Sequence, residues 1–311
     1  MKIYDSLEKF DEKDNTIITI GNFDGLHRGH KELLSFMTNK AKDHKLKSLV
    51  VTFDPMPRKY LQPRCPYSQL LLKQEKIRLF EEKNLDILII IPFDAMLAKL
   101  KYEQFIEEIL INGLNMHTLI MGFDHKIGYN GEGCYRRIKR LATILGFDLQ
   151  HFDAFHPRGE IISSSKIREY LTAGDIEKAN ELLGYKFFVS GEVIEGKRIG
   201  RKLGFPTANI KASKYKLIPK SGVYFVHVRV DDTLFNGILS IGTNPSISVS
   251  EETHIEVHIL DFDENIYGKI IEVRLLTWLR DTKSFDSTEQ LRLNIAYDVT
   301  LARKYFNILA K

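Results

Sequence analysis

His27 and His30 stand three residues apart at the end of the string Gly21-Asn22-Phe23-Asp24-Gly25-Leu26-His27-Arg28-Gly29-His30. A β-branched run, Thr16-Ile17-Ile18-Thr19-Ile20, precedes it, and an amphipathic pattern from Glu32-Leu33-Leu34 to Met37 and Ala41 follows. That order predicts strand, glycine-rich turn and helix. Glycines let a backbone approach a ligand closely, and a helix start offers free N–H groups and the positive end of its dipole. Two imidazoles at the helix mouth can reach one phosphate, so the chemistry indicated is the binding of nucleotide phosphates. The competing reading of H-x-x-H is a metal site. The string lacks a third ligand nearby and the glutamate of H-E-x-x-H.

Three other groupings could do chemistry. Ser163-Ser164-Ser165-Lys166-Ile167-Arg168 reads as a serine-capped helix start, where hydroxyls and N–H groups can hold phosphate oxygens and Arg168 can neutralise them. Gly200-Arg201-Lys202-Leu203-Gly204-Phe205-Pro206-Thr207-Ala208-Asn209 has the Gly and Pro of a loop between strands. Ile255-Glu256-Val257-His258-Ile259-Leu260 alternates as a strand does, and alternation alone places Glu256 on an outward face. No G-x-x-x-x-G-K-[ST] run occurs, so nucleotide binding here is not of the P-loop kind.

These residues need elements to hold them. In the first half, strand-like runs at 17–20, 49–53, 87–91 and 119–121 alternate with helical patterns at 31–42, 70–83, 102–111 and 135–145. That rhythm predicts a mostly parallel, Rossmann-like α/β sheet covered on both faces, with ligands at the carboxyl ends of its strands. Two short helices follow, from Ser163 to Ala173 and from 176 to 183, stopped by Gly174 and Gly184. Beyond Tyr185 the pattern is strand-like at 187–193, 223–230, 237–241, 255–260 and 270–276, predicting a small antiparallel β-barrel. A helix at 287–306 closes the chain. The change of pattern places a domain boundary near Gly184, giving domains 1–184 and 185–311.

The 311 residues suffice for two such cores. The longest apolar run, at 85–93, is broken by Asp86 and Pro92 and suits a buried strand, not a membrane span. The N-terminus has no signal-peptide core, and two cysteines, Cys65 and Cys134, without metal spacing suit a reducing compartment. A cytoplasmic protein is expected. Basic and acidic residues, 45 against 41, are interleaved, and the basic 40–47 region lacks aromatics for base stacking. Neither nucleic acid nor membrane is expected as a partner; self-association is left open.

The chain resembles the bacterial bifunctional FAD synthetases, which join riboflavin kinase and FMN adenylyltransferase activities, and the resemblance covers nearly its whole length. The histidine string is similar to their HxGH motif, the serine stretch to their S-S-x-x-I-R element, Met121-Gly122-Phe123-Asp124 to a nucleotide-binding strand end, and G-R-x-x-G-F-P-T-A-N to the riboflavin kinase signature. The resemblance implies a transferase that phosphorylates riboflavin to FMN and adenylylates FMN to FAD, with ATP and magnesium serving both steps. It implies that His27 and His30 stabilise the phosphate chain and that Gly21, Phe23, Asp24, Gly25, Gly29, Asp124, Ser164, Ser165 and Arg168 bind the nucleotide. In the second half it implies Gly204, Pro206, Thr207 and Asn209 at the nucleotide, with Thr207 and Asn209 offering neutral oxygens to magnesium. Glu256, in a V-E-x-H-like segment, becomes the catalytic base. Phe53, Pro55, Arg280 and Phe285 fall to the flavin.

Departures also occur. Met56 stands where the family has His, and His125-Lys126-Ile127-Gly128 replaces Phe-Arg-Phe-Gly, removing aromatic surface for a flavin ring in the first half. Ser240 and Ser246 replace Asn and Thr while keeping hydrogen-bonding capacity. A single-activity member with one decayed site, or a flavin-binding regulatory protein without turnover, are the alternatives to the bifunctional enzyme.

Overall fold

The computed structural model describes residues 1–61, 68–123, 125–153, 161–196, 199–243, 253–285 and 287–309. The chain forms two compact units, Met1–Ser164 and Ser165–Lys311.

Six parallel strands build the first unit: β1 (Lys2–Tyr4), β2 (Thr16–Ile20), β3 (Lys47–Phe53), β4 (Ile87–Ile91), β5 (Met116–Gly122) and β6 (Asp148–Phe152), in the order β1-β4-β3-β2-β5-β6. The strands β2 and β4 are buried at every position, as near-continuous Ile runs in a doubly covered parallel sheet must be. Ile18, Leu49, Ile89 and Leu119 pack on one face with Phe105, Leu110 and Ile138. Helices α1 (Arg28–His44), α2 (Pro57–Leu61), α3 (Lys73–Glu81), α4 (Ala95–Lys99), α5 (Tyr102–Gln104) and α6 (Tyr135–Leu145) connect the strands; α5 runs on into a π-helical stretch, Phe105–Gly113. Because β2 pairs with β3 on one side and β5 on the other, the sheet changes winding direction at β2. The crevice beyond its carboxyl end is where such sheets take ligands, and the 21–30 turn starts there.

Three elements differ from expectation. The helix expected from residue 70 begins at Lys73, because the N–H groups of Leu70 and Leu71 are taken by the Asp24 carboxylate. Strands β1 and β6 carry no apolar run: both lie at sheet edges, where one side needs no burial.

In the second unit, α7 (Ser164–Ala173, whose first residue belongs to unit one) and α8 (Ile176–Leu183) precede a closed antiparallel barrel. Its strands are β7 (Phe188–Ile194), β8 (Ala208–Ala212), β9 (Gly222–Val230), β10 (Thr233–Thr243), β11 (Thr253–Ile259) and β12 (Ile270–Arg280), in the order β10-β11-β8-β7-β12-β9, with β9 pairing back to β10. A short helix, α9 (Ile199–Lys202), lies between β7 and β8, and α10 (Thr288–Leu309) packs Ala302 and Phe306 against Val223, Phe225 and Leu276. The compact unit starts before Gly184 because α8 is tied to the barrel. Asn180 donates to the Leu275 carbonyl at 3.0 Å and accepts from the Phe187 N–H at 2.6 Å. Among the described residues no helix is long and apolar enough to cross a membrane.

Candidate functional site

The histidine turn is built by strand, strain and helix cap together. After β2 the chain takes left-handed backbone at Phe23 (φ 45°), Gly25 (φ 83°) and Leu26 (φ 35°), and His27 then caps α1. The Nδ1 of His27 accepts the His30 N–H at 3.4 Å, which leaves the ring proton on Nε2. The two imidazoles stack with centroids 3.6 Å apart and planes 14° from parallel. Gly29 makes room: a Cβ there would lie 3.3 Å from His27 Nδ1. Burial pushes His27 down to about 4. Burial, His27 and Lys76 hold His30 well below the usual histidine range. Both rings are therefore neutral at pH 7, and His30 keeps a buried Nδ1 without a hydrogen-bond partner among the described residues.

Two residues expected at the nucleotide shape the turn. Phe23 is buried, edge-on to His30 and Phe80. Asp24 is 3% exposed and its carboxylate accepts the Leu70 and Leu71 N–H groups at 3.0 and 3.1 Å. A carboxylate so enclosed anchors backbone. Its carbonyl receives the Ser164 hydroxyl at 2.7 Å, which ties the start of α7 to the turn. Ser165 (exposed) and Arg168 (half-buried) follow on α7. Asp124 lies outside the described residues.

Beside Gly21 and Asn22 opens a cavity of about 320 Å³, lined by Phe53, Phe93, Phe105, His125 and Ile127 among others. Phe53 meets Phe93 edge-on at 5.7 Å, and Tyr60 meets Phe93 at 6.1 Å. Aromatic surface that the 125–128 stretch lacks is thus supplied from the segment after β4, which no motif marks. Pro55 is half-buried, outside the cavity's lining, and Met56 is buried.

In the barrel, β8 carries Asn209 and pairs with β11 so that Asn209 stands opposite Glu256. Glu256 shares the half-buried face of β11 with His254 and His258, while Ile255, Val257 and Ile259 fill the core. Its carboxylate accepts the Thr207 hydroxyl at 3.2 Å. His258 donates from Nδ1 to the Pro206 carbonyl at 2.8 Å and fixes the turn before β8. Gly196 leaves the space that Asn209 fills: a Cβ there would lie 2.2 Å from the Asn209 amide nitrogen. Gly204 takes φ 83°. A cavity of about 340 Å³ opens alongside, lined by Arg201, Pro206, Thr207, Asp263 and Tyr267 among others.

Arg280, expected near the flavin, is committed within the protein. It forms a two-pronged pair with the buried Asp298 of α10, at 3.0 and 2.6 Å, and donates to the Asp281 carbonyl. Phe285 is half-buried beyond the end of β12. Lys76, Gly196 and Phe93 escaped sequence reading. A lysine in a lysine-rich helix and a lone glycine carry no signal of burial.

A family model for FAD synthetase matches residues 9–166, and one for riboflavin kinase matches residues 183–306. A bifunctional riboflavin kinase/FMN adenylyltransferase from Haemophilus influenzae is 35% identical over 291 residues, 93% of this chain and 94% of that protein. The chain belongs to this family. A Buchnera aphidicola protein of the same name is 34% identical over 99% of both chains. A crystal structure named as a macrolide-efflux protein from Streptococcus pneumoniae superposes with a TM-score of 0.88, at 27% identity, over 97% of this chain and 98% of that one. The two matched segments bracket the two sites described above.

Proposed function

We propose that this chain phosphorylates riboflavin to FMN in its barrel and adenylylates FMN to FAD at its histidine turn, spending one magnesium–ATP at each. The functional domains are then 1–184 and 185–311. The observation that carries the reading is the presence of two separate constellations, each built: a neutral, stacked histidine pair at a helix start, and a carboxylate hydrogen-bonded to a Thr beside an Asn.

In the first reaction Glu256 accepts the proton of the ribityl 5′-hydroxyl as that oxygen attacks the γ-phosphorus of ATP and ADP leaves. Thr207 and Asn209 fit a hard cation, since both offer neutral oxygens and Gly196 keeps the Asn209 amide in place. Magnesium would screen the phosphate charge there. Among the described residues no cluster of three His, Cys, Asp or Glu is placed to hold a metal ion.

In the second reaction an FMN phosphate oxygen attacks the α-phosphorus of ATP and pyrophosphate leaves. The protein's part is alignment and stabilisation of spreading negative charge. Neutral His27 donates from Nε2, and the free N–H groups at the start of α1 add donors around the phosphates. The Phe53–Phe93 cavity takes the flavin ring. The reading is tested by incubating the protein with riboflavin and magnesium–ATP and separating the products. FMN followed by FAD, with ADP and pyrophosphate released in turn, is expected; flavin binding without ATP consumption would mark a regulatory protein.

A further inference from the structure

Lys76 is a charged side chain with no place in the chemistry above. It is 5% exposed on α3, and its ammonium donates to the Asn22 carbonyl at 2.8 Å and reaches the Thr52 hydroxyl at 3.5 Å. Thr52 donates to the same carbonyl at 3.4 Å. Lysine is almost never so buried, and an apolar residue of similar volume generally serves stability as well or better. What Lys76 grips is the histidine turn. Asn22 opens the turn that carries both histidines, and two residues on, Asp24 is held in the opposite sense by N–H groups at the approach to α3. The turn is thereby pinned on either side of Phe23, which with Leu26 takes left-handed backbone. Non-glycine residues keep such backbone only where their surroundings over-determine it, and such strain gathers at functional sites.

The charge matters as well as the grip. Lys76 is among the groups that hold His30 neutral. Burial draws the ammonium itself downward, while the Asp24 and Asp54 carboxylates support its charge.

We propose that Lys76 is a positioning residue for adenylyl transfer: by pinning the Asn22 carbonyl it holds the strained turn, and with it the His27–His30 pair, in the form that meets the ATP phosphates. The proposal rests on the reading of this turn as the FMN adenylyltransferase site.

Full-length Lys76→Met and Lys76→Arg proteins test it, with FAD formation from FMN followed over a range of magnesium–ATP and riboflavin phosphorylation measured on the same preparations. Misplacement of a catalytic constellation costs up to about 100-fold, so Lys76→Met is expected to lower kcat for FAD formation by about 10- to 100-fold. The KM for FMN and riboflavin phosphorylation should change by less than about twofold, since neither depends on the pinned turn in this scheme. Lys76→Arg, which keeps a cationic donor, is expected to regain most of the loss. Unchanged kcat in Lys76→Met overturns the proposal. So does a Lys76→Met protein that fails to fold, which would assign the lysine to stability. A wild-type protein that makes no FAD would instead overturn the underlying reading of the site.

Discussion

Thr207 and Glu256 meet at 3.2 Å, hydroxyl to carboxylate, at the junction of β8 with β11. The pair joins the residue proposed to face magnesium–ATP to the proposed base, and the register sets Asn209 directly opposite Glu256. The barrel thus gathers Thr207, Asn209 and Glu256 where β8 begins beside β11.

Replacing the base tests that arrangement first. Glu256→Gln keeps the shape and the acceptor for Thr207 but cannot take a proton. FMN formation should fall by about 10²–10⁴-fold while ATP binding survives. Steady-state kinetics together with nucleotide titration check both halves. Near-normal FMN production removes Glu256 from the mechanism.

Gly196 offers a test from the opposite side. A Cβ added there meets the Asn209 amide at 2.2 Å, so Gly196→Ala must displace Asn209. Riboflavin phosphorylation should drop by at least about tenfold with a raised KM for ATP, and FAD formation from supplied FMN should be untouched. Equal activity in both reactions would mean that Asn209 is not a ligand.

The stacked histidines predict an acid limit on stability. His27 titrates at about 4 in the folded protein and near 6.5 when unfolded, so between those values the unfolded chain binds the extra proton. Stability is fully present above about pH 6.5 and is lost as pH falls toward 4. The His27 contribution to that loss is about 3 kcal/mol, and His30 acts in the same direction. Thermal unfolding from pH 7 to 4 should show a falling midpoint for the unit that holds the histidines, and His27→Asn should make that fall shallower. A fall as steep in the variant as in the wild type would refute the assignment.

Phe53 and Phe93 make a further prediction about the flavin. Aromatic pairs contribute about 0.5–1.5 kcal/mol beyond burial, so Phe93→Ala should raise the KM for FMN about two- to tenfold. Flavin titration by fluorescence is the direct check. An unchanged KM would place the ring elsewhere.

The two signature strings were legible because their chemistry is local: a turn that needs glycines, a helix start, a Thr and Asn two residues apart. The parallel sheet and the barrel were legible because buried strands such as β2 and β4 must be apolar throughout. What escaped depends on tertiary context. That the Asp24 carboxylate takes the N–H groups of Leu70 and Leu71, and so delays the start of α3, is not visible in the sequence. The pairing of the Arg280 guanidinium with Asp298 on α10 leaves no mark in the sequence. The strand β8, Ala208–Ala212, has no β-branched run beyond Ile210; its pairing with β7 and β11 makes it a strand.

The central claim is that one chain holds two independent active sites working in sequence. His30→Ala and Asn209→Ala, assayed separately and then mixed in equal amounts with riboflavin and magnesium–ATP, test it most directly. The account predicts that His30→Ala accumulates FMN, that Asn209→Ala converts supplied FMN to FAD but leaves riboflavin unchanged, and that the mixture carries riboflavin through to FAD. If either substitution stopped both reactions in a folded protein, or the mixture made no FAD, the two-site account would be contradicted.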